Sequence, residues 1–534
     1  MTPDGRYRLV LLAACLILFA YNLGGRDLWE PDEPRYAGIA RGIVETGDWL
    51  NLADNGRPYT HKPPLFFWIL AASAHLASGV TALSSRIPNS LLALLSALLL
   101  YRLGRDLFTP RAGLFGALVL ATSQRFFLEA RWVHMDILLT LLTLVALDSA
   151  YRALERREPW RWAVAYLAMG LGCLAKGPVA LAVPAAAWLT FLASTRELSR
   201  VKESRWWLGI PAALLPTLAW LWASSRSAGF DPLAVVSTQV FQRFQEGVHH
   251  PRPFYYYLYS LPLEFLPWTP FLAGALATTF PGPDSTRRRP VLFLYGWFLG
   301  GLALFSLAAE KRPSYLLPVF PPLALLVGLF LEDYLMRWNA HQLRKWVTVP
   351  LLLYSAVCLA GVVWIPFGAR AYPGLGGRLL VLAIFYLAVC AGALTALRQG
   401  RRGAGLAILL GGVWAGYLGI AGSLLPWLND YKSARPFCER IVSRIGSAPL
   451  GIYGDYRPAY AFYTRRRLGV IRRPGDLERF LRAAPEACCL VELEDLDDLH
   501  ARLPLRILDR AAVGHRTYLL VSLAETGPGP PTPR

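Results

Sequence analysis

Stretches of roughly 20 apolar residues, the length that crosses a hydrocarbon core, recur from one end of this chain to the other. Three of them lie at 9–23, 291–307 and 406–425. No single water-excluded core absorbs so many. A soluble domain is about a quarter charged, whereas this chain of 534 residues is 17% charged and 54% hydrophobic. The reading is a polytopic α-helical membrane protein. The net charge of +19 then has an ordinary cause, since Arg and Lys flanking membrane helices orient them and meet anionic lipid headgroups. Nucleic acid is not needed to explain it.

Hydropathy marks about fourteen apolar runs. The one at 64–80 begins beside Pro63-Pro64, carries Ser73, His75 and Ser78, and is short for a span. Laid along the surface, it leaves thirteen predicted spans, at 8–23, 88–104, 112–128, 136–152, 161–175, 177–193, 206–223, 258–279, 291–308, 314–331, 347–366, 378–397 and 404–425. The inner loops then hold twenty Arg and Lys and the short outer loops seven, the asymmetry that fixes orientation. Counting 64–80 as a span inverts every later loop and erases the bias. The 161–193 stretch reads as two helices. One helix would be roughly 50 Å long against a core of about 30 Å, and Lys176-Gly177-Pro178 interrupts it. Arg6 and Arg8 precede the first run and no small-x-small cleavage site follows it, so an uncleaved helix starting in the cytoplasm is expected.

This topology divides the chain into a membrane domain, 1–428, with long outer loops at 24–87 and 224–257, and a small extracytoplasmic α/β domain at 429–525. In the latter, strands are predicted at 450–453, 468–471 and 488–492, with a helix at 474–483 capped by Gly475-Asp476. The Pro- and Gly-rich end, 526–534, is expected to be disordered. Cys15, Cys173, Cys358 and Cys390 lie in apolar runs as small packing residues. Cys438 with Cys488 or Cys489 is one candidate disulfide.

The polar residues least suited to a bilayer fall on one predicted face: Asp32-Glu33-Pro34-Arg35, His61-Lys62, 131–136, Lys176, His249-His250 and Glu310-Lys311-Arg312 to Tyr315. Charges there are costly unless paired or hydrated, so a shared outward cavity is expected. Cations in a low-dielectric pocket suit a phosphate that gains charge as it leaves. A carboxylate beside them suits removal of a proton from an attacking hydroxyl. The membrane setting points to a lipid phosphate.

At these residues the chain resembles the bacterial aminoarabinose-transferase and protein O-mannosyltransferase-like superfamily, membrane glycosyltransferases of the GT-C fold that use lipid-phosphate sugars. The resemblance covers about 1–430. It rests on Trp29-Glu30-Pro31-Asp32-Glu33-Pro34-Arg35-Tyr36-Ala37, Gly47-Asp48-Trp49, 59–65 (YTHKPPL), 174–179 (LAKGPV) and 311–318 (KRPSYLLP), in that order. It implies that Asp32 is the catalytic base, that Lys62 contacts the donor phosphate, and that short helices of the first loop lie along the outer surface. The aminoarabinose branch has glutamate where this chain has His61, which points away from aminoarabinose as the sugar.

The expectation is therefore an inverting transfer from a polyprenyl-phosphate sugar to a lipid, glycan or protein acceptor, at the periplasmic face of a bacterial inner membrane. Asp32, Glu33 and Asp136 are the catalytic candidates. Lys62, Arg35, Arg131, Lys311, Tyr315 and Tyr59 are the candidates for the donor phosphate. No cofactor is required, because Arg and Lys neutralise a monophosphate; His61, His249 and His250, with Glu33 or Glu310, are the candidate divalent-metal set. The competing class is a transporter or flippase of a lipid-linked precursor, whose charges should lie near the midplane in repeated halves.

Overall fold

A computed structural model describes residues 2–227, 231, 251–279, 285–336, 340–369 and 372–524. The chain opens with α1 (Pro3–Ala20), whose first turn is closed by Thr2 accepting from the Gly5 amide. The first loop follows, with α2 (Asp32–Thr46), the two-residue strands β1 (Ala53–Asp54) and β2 (Arg57–Pro58), and α3 (Leu65–Leu76). Asn55-Gly56 joins the two strands with both φ angles positive, 53° and 77°, the backbone a tight hairpin turn needs and Asn-Gly supplies. At 12 residues, α3 is about 18 Å long, too short to cross, as the charge bias required.

Next come α4 (Ala82–Leu107), α5 (Pro110–Ala121), α6 (Gln124–Glu129), α7 (Asp136–Glu155), α8 (Arg161–Lys176), α9 (Val179–Ser194) and α10 (Trp206–Ser224). Thr81 and Ser84 form a reciprocal cap on α4. Gly177, at φ 91°, ends α8 and turns the chain into α9. Then follow α11 (Tyr256–Glu264), α12 (Thr269–Thr279), α13 (Ser285–Leu307), α14 (Phe320–Met336) after a 3-10 turn at Pro313–Val319, α15 (Ala340–Gly368), α16 (Leu375–Arg398), α17 (Arg402–Gly419) and α18 (Leu425–Lys432). Small residues let the central helices touch. A Cβ on Gly328 would lie 2.3 Å from the Gly116 amide nitrogen, so α5 and α14 cross backbone to backbone, a common device where lipid offers no hydrophobic drive.

Eight helical stretches among the described residues are long and apolar enough to cross a bilayer. The other five predicted spans are realised differently. The 112–128 run breaks into α5 and α6, and 258–279 breaks into α11 and α12 around Leu266-Pro267. The remaining three are α1 with 18 residues and α8 and α9 with 16 each.

The C-terminal part holds α19 (Arg435–Ile445), β3 (Leu450–Tyr453), α20 (Pro458–Thr464), β4 (Gly469–Ile471), α21 (Pro474–Ala483), β5 (Cys488–Glu492), α22 (Leu496–His500), β6 (Leu505–Val513) and β7 (Arg516–Leu523). Its five-stranded sheet runs β4-β3-β5-β7-β6, with β3 parallel to β4 and β5 and the rest antiparallel. The three predicted strands and the helix are present. The hairpin β6–β7 escaped notice because β6 is an edge strand with Arg506, Asp509 and Arg510 on it and a register shift between Ile507 and Asp509. Gly475 and Asp476 lie inside the first turn of α21, and Arg473 is its cap. The candidate disulfide does not form: Cys438, Cys488 and Cys489 are buried free thiols at separate places in the sheet and α19. The predicted disordered end, 526–534, lies outside the described residues.

This domain docks on the first loop. Asn55 bonds the Leu468 backbone on both sides, at 2.9 and 2.8 Å. The Leu28 amide donates to the Tyr463 hydroxyl at 2.6 Å, and Phe462 joins the apolar cluster of α2 and α3. Glu30 accepts from the Ala459 amide, while its second carboxyl oxygen is buried with no hydrogen-bond partner among the described residues. Burial pushes this carboxyl up to about 7. The folded form thus binds more protons than the unfolded chain between the ordinary glutamate range and pH 7, and stability falls as pH rises across that window. Glu30→Gln keeps the accepting carbonyl and removes the charge. It is expected to raise the unfolding temperature in detergent by a few degrees at pH 8 and to leave it unchanged at pH 5.

Candidate active site

Two adjacent carboxylates at the start of α2 have opposite fates. Glu33 points inward and is 4% exposed. It accepts from Arg26 at 2.6 and 3.2 Å, from Arg86 of α4 at 2.9 and 3.1 Å, and from the amides of Trp29 and Val133 at 3.1 and 3.2 Å. Burial alone would raise its pKa, but the two guanidinium groups hold it well below the usual carboxylate range. All its lone pairs are engaged, so it cannot also take a substrate proton. Glu33, expected among the catalytic groups, is a structural hub that ties α2, α4 and the α6–α7 connection together.

Asp32 points the other way, into a cavity of about 540 Å³. Three cations face it at long range: Arg312 at 3.6 Å, His134 at 3.8 Å and Arg35 at 4.0 Å. Among the described residues none comes close enough for a hydrogen bond. Its side chain is 17% exposed, and its oxygens are available to an incoming hydroxyl. Because Glu33 grips both the start of α2 and the Val133 amide, it also fixes the facing of Asp32 and His134, each one residue along.

The first loop contributes Arg35, Asp54, Arg57, Tyr59, His61 and Lys62 to the same cavity. Asp54 and Arg57 are placed by the Asn55-Gly56 turn, and Asp54 holds Arg35 at 3.3 Å. From the far side come Asp136 and Lys176, paired at 2.5 Å, with Lys176 4.9 Å from the centre of the Tyr315 ring. The Tyr315 hydroxyl donates to Glu310 at 2.9 Å. The sheet domain supplies Tyr456 and Arg472, and Tyr456 donates to Asp54 at 2.9 Å. Among the described residues six Arg and Lys line the cavity against three carboxylates, so this lining is cationic. The predicted convergence of distant segments is therefore present.

Two predicted phosphate ligands point elsewhere. Arg131 is 3% exposed and donates to the carbonyls of Leu18, Phe19 and Tyr21 at 3.0, 3.1 and 2.7 Å. It closes the C-terminal end of α1, whose last carbonyls have no helical partners. Lys311 bonds the carbonyls of Arg252 and Ala308. Its neighbour Arg312 takes the cavity position, since the backbone between them turns into the 3-10 segment. Residues that sequence reasoning missed are Asp54, Arg57, His134, Tyr456 and Arg472. The last two could not be found without the docking of the sheet domain. His134 stands two residues before Asp136 inside a segment already singled out.

His134 rests its Nδ1 on Glu129 at 2.8 Å. Burial disfavours a charged ring, but Glu129, and then Asp32 and Asp136, lift it to about 9. It therefore carries a proton at neutral pH and gives it up only as pH rises past that value. His249 and His250 of the metal candidate set lie outside the described residues, and Glu33 is committed to arginines. Glu129, His134 and Asp136 bring ligand atoms within 4.8 Å of one another. That group is a poor fit for an ion, because Asp136 already holds Lys176 and His134 already holds Glu129.

Comparison with known proteins gives a consistent result. The dolichyl-phosphate-mannose-protein mannosyltransferase family matches over 61–222. The undecaprenyl phosphate-alpha-4-amino-4-deoxy-L-arabinose arabinosyl transferase of Pseudomonas aeruginosa strain LESB58 is 33% identical over 347 residues, 63% of this chain and 61% of that one. The enzyme of that description from Edwardsiella ictaluri is 30% identical over 382 residues, 69% of this chain and 67% of that one. The match thus spans about six tenths of the length of the Pseudomonas relative. The crystal structure of ArnT from Cupriavidus metallidurans bound to undecaprenyl phosphate superposes with a TM-score of 0.81 at 22% identity, over 99% of this chain and 100% of that one, which shows a common fold.

Proposed function

The chain belongs to the aminoarabinose-transferase and protein O-mannosyltransferase-like superfamily of membrane glycosyltransferases, and from that premise we propose that it moves a sugar from a polyprenyl phosphate to a lipid, glycan or protein acceptor. The relatives act on an undecaprenyl phosphate sugar by their own description, and the cationic cavity suits a phosphate. The setting is a bacterial inner membrane crossed thirteen times, with the cavity open to the periplasm. The charge bias of the loops supports that orientation.

One observation carries the mechanism: of two neighbouring carboxylates, Glu33 is saturated and Asp32 is not. Asp32 takes the proton of the acceptor hydroxyl. The acceptor oxygen forms a bond to the anomeric carbon on the face opposite the phosphate. The carbon–oxygen bond to the phosphate breaks, and the phosphate keeps the electron pair. Lys62, Arg35 and Arg312 meet the growing charge on the leaving phosphate. Tyr59 and Tyr315 form the walls against which the donor sits. The Asp136–Lys176 pair fixes the remaining side. These cations suffice for a monophosphate, so no step is routed through a metal. His61 leaves the choice of sugar open to one other than aminoarabinose.

The test is transfer of label from polyprenyl-phosphate sugars by the purified protein. Labelled acceptor with release of polyprenyl phosphate supports the reading. Movement of the intact donor across vesicles, without transfer, would replace it with a flippase. Lys62→Gln is expected to weaken donor use by about 10- to 100-fold, the worth of a charged hydrogen bond, measured as KM for the donor with kcat less affected.

A further inference from the structure

A second and larger cavity, about 1160 Å³, lies between α8 and α10 at the end of α8 remote from Lys176. With 16 residues, α8 is about 24 Å long, so the two cavities open toward opposite membrane faces. The second has a basic mouth and an apolar trough. Arg157, Lys202 and Arg205 stand exposed at the mouth. Among the described residues its lining holds a single carboxylate, Glu203, and that one is taken by Arg200 at 2.8 Å. Among the described residues no carboxylate pairs with Arg157, Lys202 or Arg205. Below them the wall is Leu167, Leu208, Ala212 and Pro216. From Trp160 to Gly170 the groove follows α8 for about 15 Å, half the thickness of a hydrocarbon core.

That shape is amphipathic in the sense of a lipid: anion-binding at the interface, apolar for the depth of one leaflet. Water in the trough would be poorly solvated, and a zwitterionic headgroup would leave the three cations without net compensation. Trp160 and Trp207, 60% and 50% exposed, flank the mouth at the level where indole rings favour headgroups. We propose that this groove binds one anionic glycerophospholipid of the leaflet opposite the active site, with its phosphodiester among Arg157, Lys202 and Arg205 and an acyl chain in the trough between α8 and α10.

The position has a structural consequence. The helix α8 carries Lys176 at its other end, and α10 holds the first loop through Trp220 and Ser224, which donate to the Leu50 carbonyl at 3.1 and 3.3 Å. A lipid between them braces two supports of the distant cavity. The inference stands on the groove alone and does not need the transferase reading.

The full-length protein, stripped of lipid in non-ionic detergent, is titrated in native mass spectrometry with phosphatidylglycerol and phosphatidylcholine of equal chains. Phosphatidylglycerol is expected to bind once per protein and roughly tenfold or more tighter, since basic residues at an interface favour anionic lipid. An R157Q/K202Q/R205Q variant should lose that preference, and Ala212→Trp, which fills the trough, should lose binding of both lipids; unchanged size-exclusion profiles control for folding. Equal binding of the two lipids, or undiminished phosphatidylglycerol binding in the triple variant, would overturn the proposal. So would glycerol phosphate alone binding as tightly, which would make the groove a soluble-anion site. Loss of polyprenyl phosphate binding in the triple variant would assign the groove to the carrier lipid and equally overturn it.

Discussion

Asp32→Asn should lower kcat by about 10²- to 10⁴-fold, the usual contribution of a positioned base, in a protein that folds normally. The substitution is nearly isosteric, and Asp32 makes no hydrogen bond among the described residues whose loss would disturb the fold. Its three cationic neighbours at 3.6, 3.8 and 4.0 Å stay in place. With one negative charge fewer among them, Arg312, His134 and Arg35 attract a phosphate more strongly. Donor binding should therefore hold or tighten while turnover collapses. Measuring kcat and donor KM separately distinguishes this from a general loss of structure. A folded Asp32→Asn protein with near-normal turnover would remove Asp32 from the chemistry.

The contrast between Asp32 and Glu33 also shows how far the chain could be read without coordinates. Both sit in one motif; the resemblance singles out Asp32 as the base, but spacing gives no ground to drop Glu33 from the catalytic candidates. What separates them is the direction each side chain takes from the first turn of α2. Glu33 turns toward Arg26 and Arg86, the latter 53 residues away on α4. Local sequence does not carry that pairing. The same holds for Arg131 and for the exchange of roles between Lys311 and Arg312. By contrast, hydropathy was enough to locate the eight predicted spans that are helices long and apolar enough to cross a bilayer, because lipid penalises any unpaired backbone outside a helix and so couples composition to structure tightly. The breaks within 112–128 and 258–279 were visible as Thr122-Ser123 and Leu266-Pro267 but were outweighed by the surrounding apolar run. The sheet domain's place over the cavity was illegible, since Tyr456 and Arg472 reach the site only through its docking on Asn55, Leu28 and Glu30.

The largest effect on stability should come from the hub beneath the site. Arg26, Glu33 and Arg86 are 5%, 4% and 0% exposed. Arg86 also donates to the carbonyls of Leu23, Arg26 and Asp27 at 3.3, 2.7 and 2.7 Å. Removing Glu33 leaves two buried guanidinium groups uncompensated, and removing Arg86 strips Glu33 of two donors and three backbone carbonyls of theirs; breaking such a buried set costs about 3–5 kcal/mol. Arg86→Met is expected to cost that much, seen as a fall in the monodisperse fraction after extraction and in the unfolding temperature. Arg86→Lys should rescue little, because a lysine cannot grip the carboxylate with two donors and reach three carbonyls as well. Glu33→Gln should behave like Arg86→Met, since it leaves two buried guanidinium groups uncompensated. Whatever turnover it loses should track the loss of folded protein, because Glu33 serves the site through the fold it ties together. A Glu33→Gln protein that unfolds at the normal temperature yet turns over a hundredfold more slowly would return Glu33 to the chemistry and undo the division of labour between the two carboxylates.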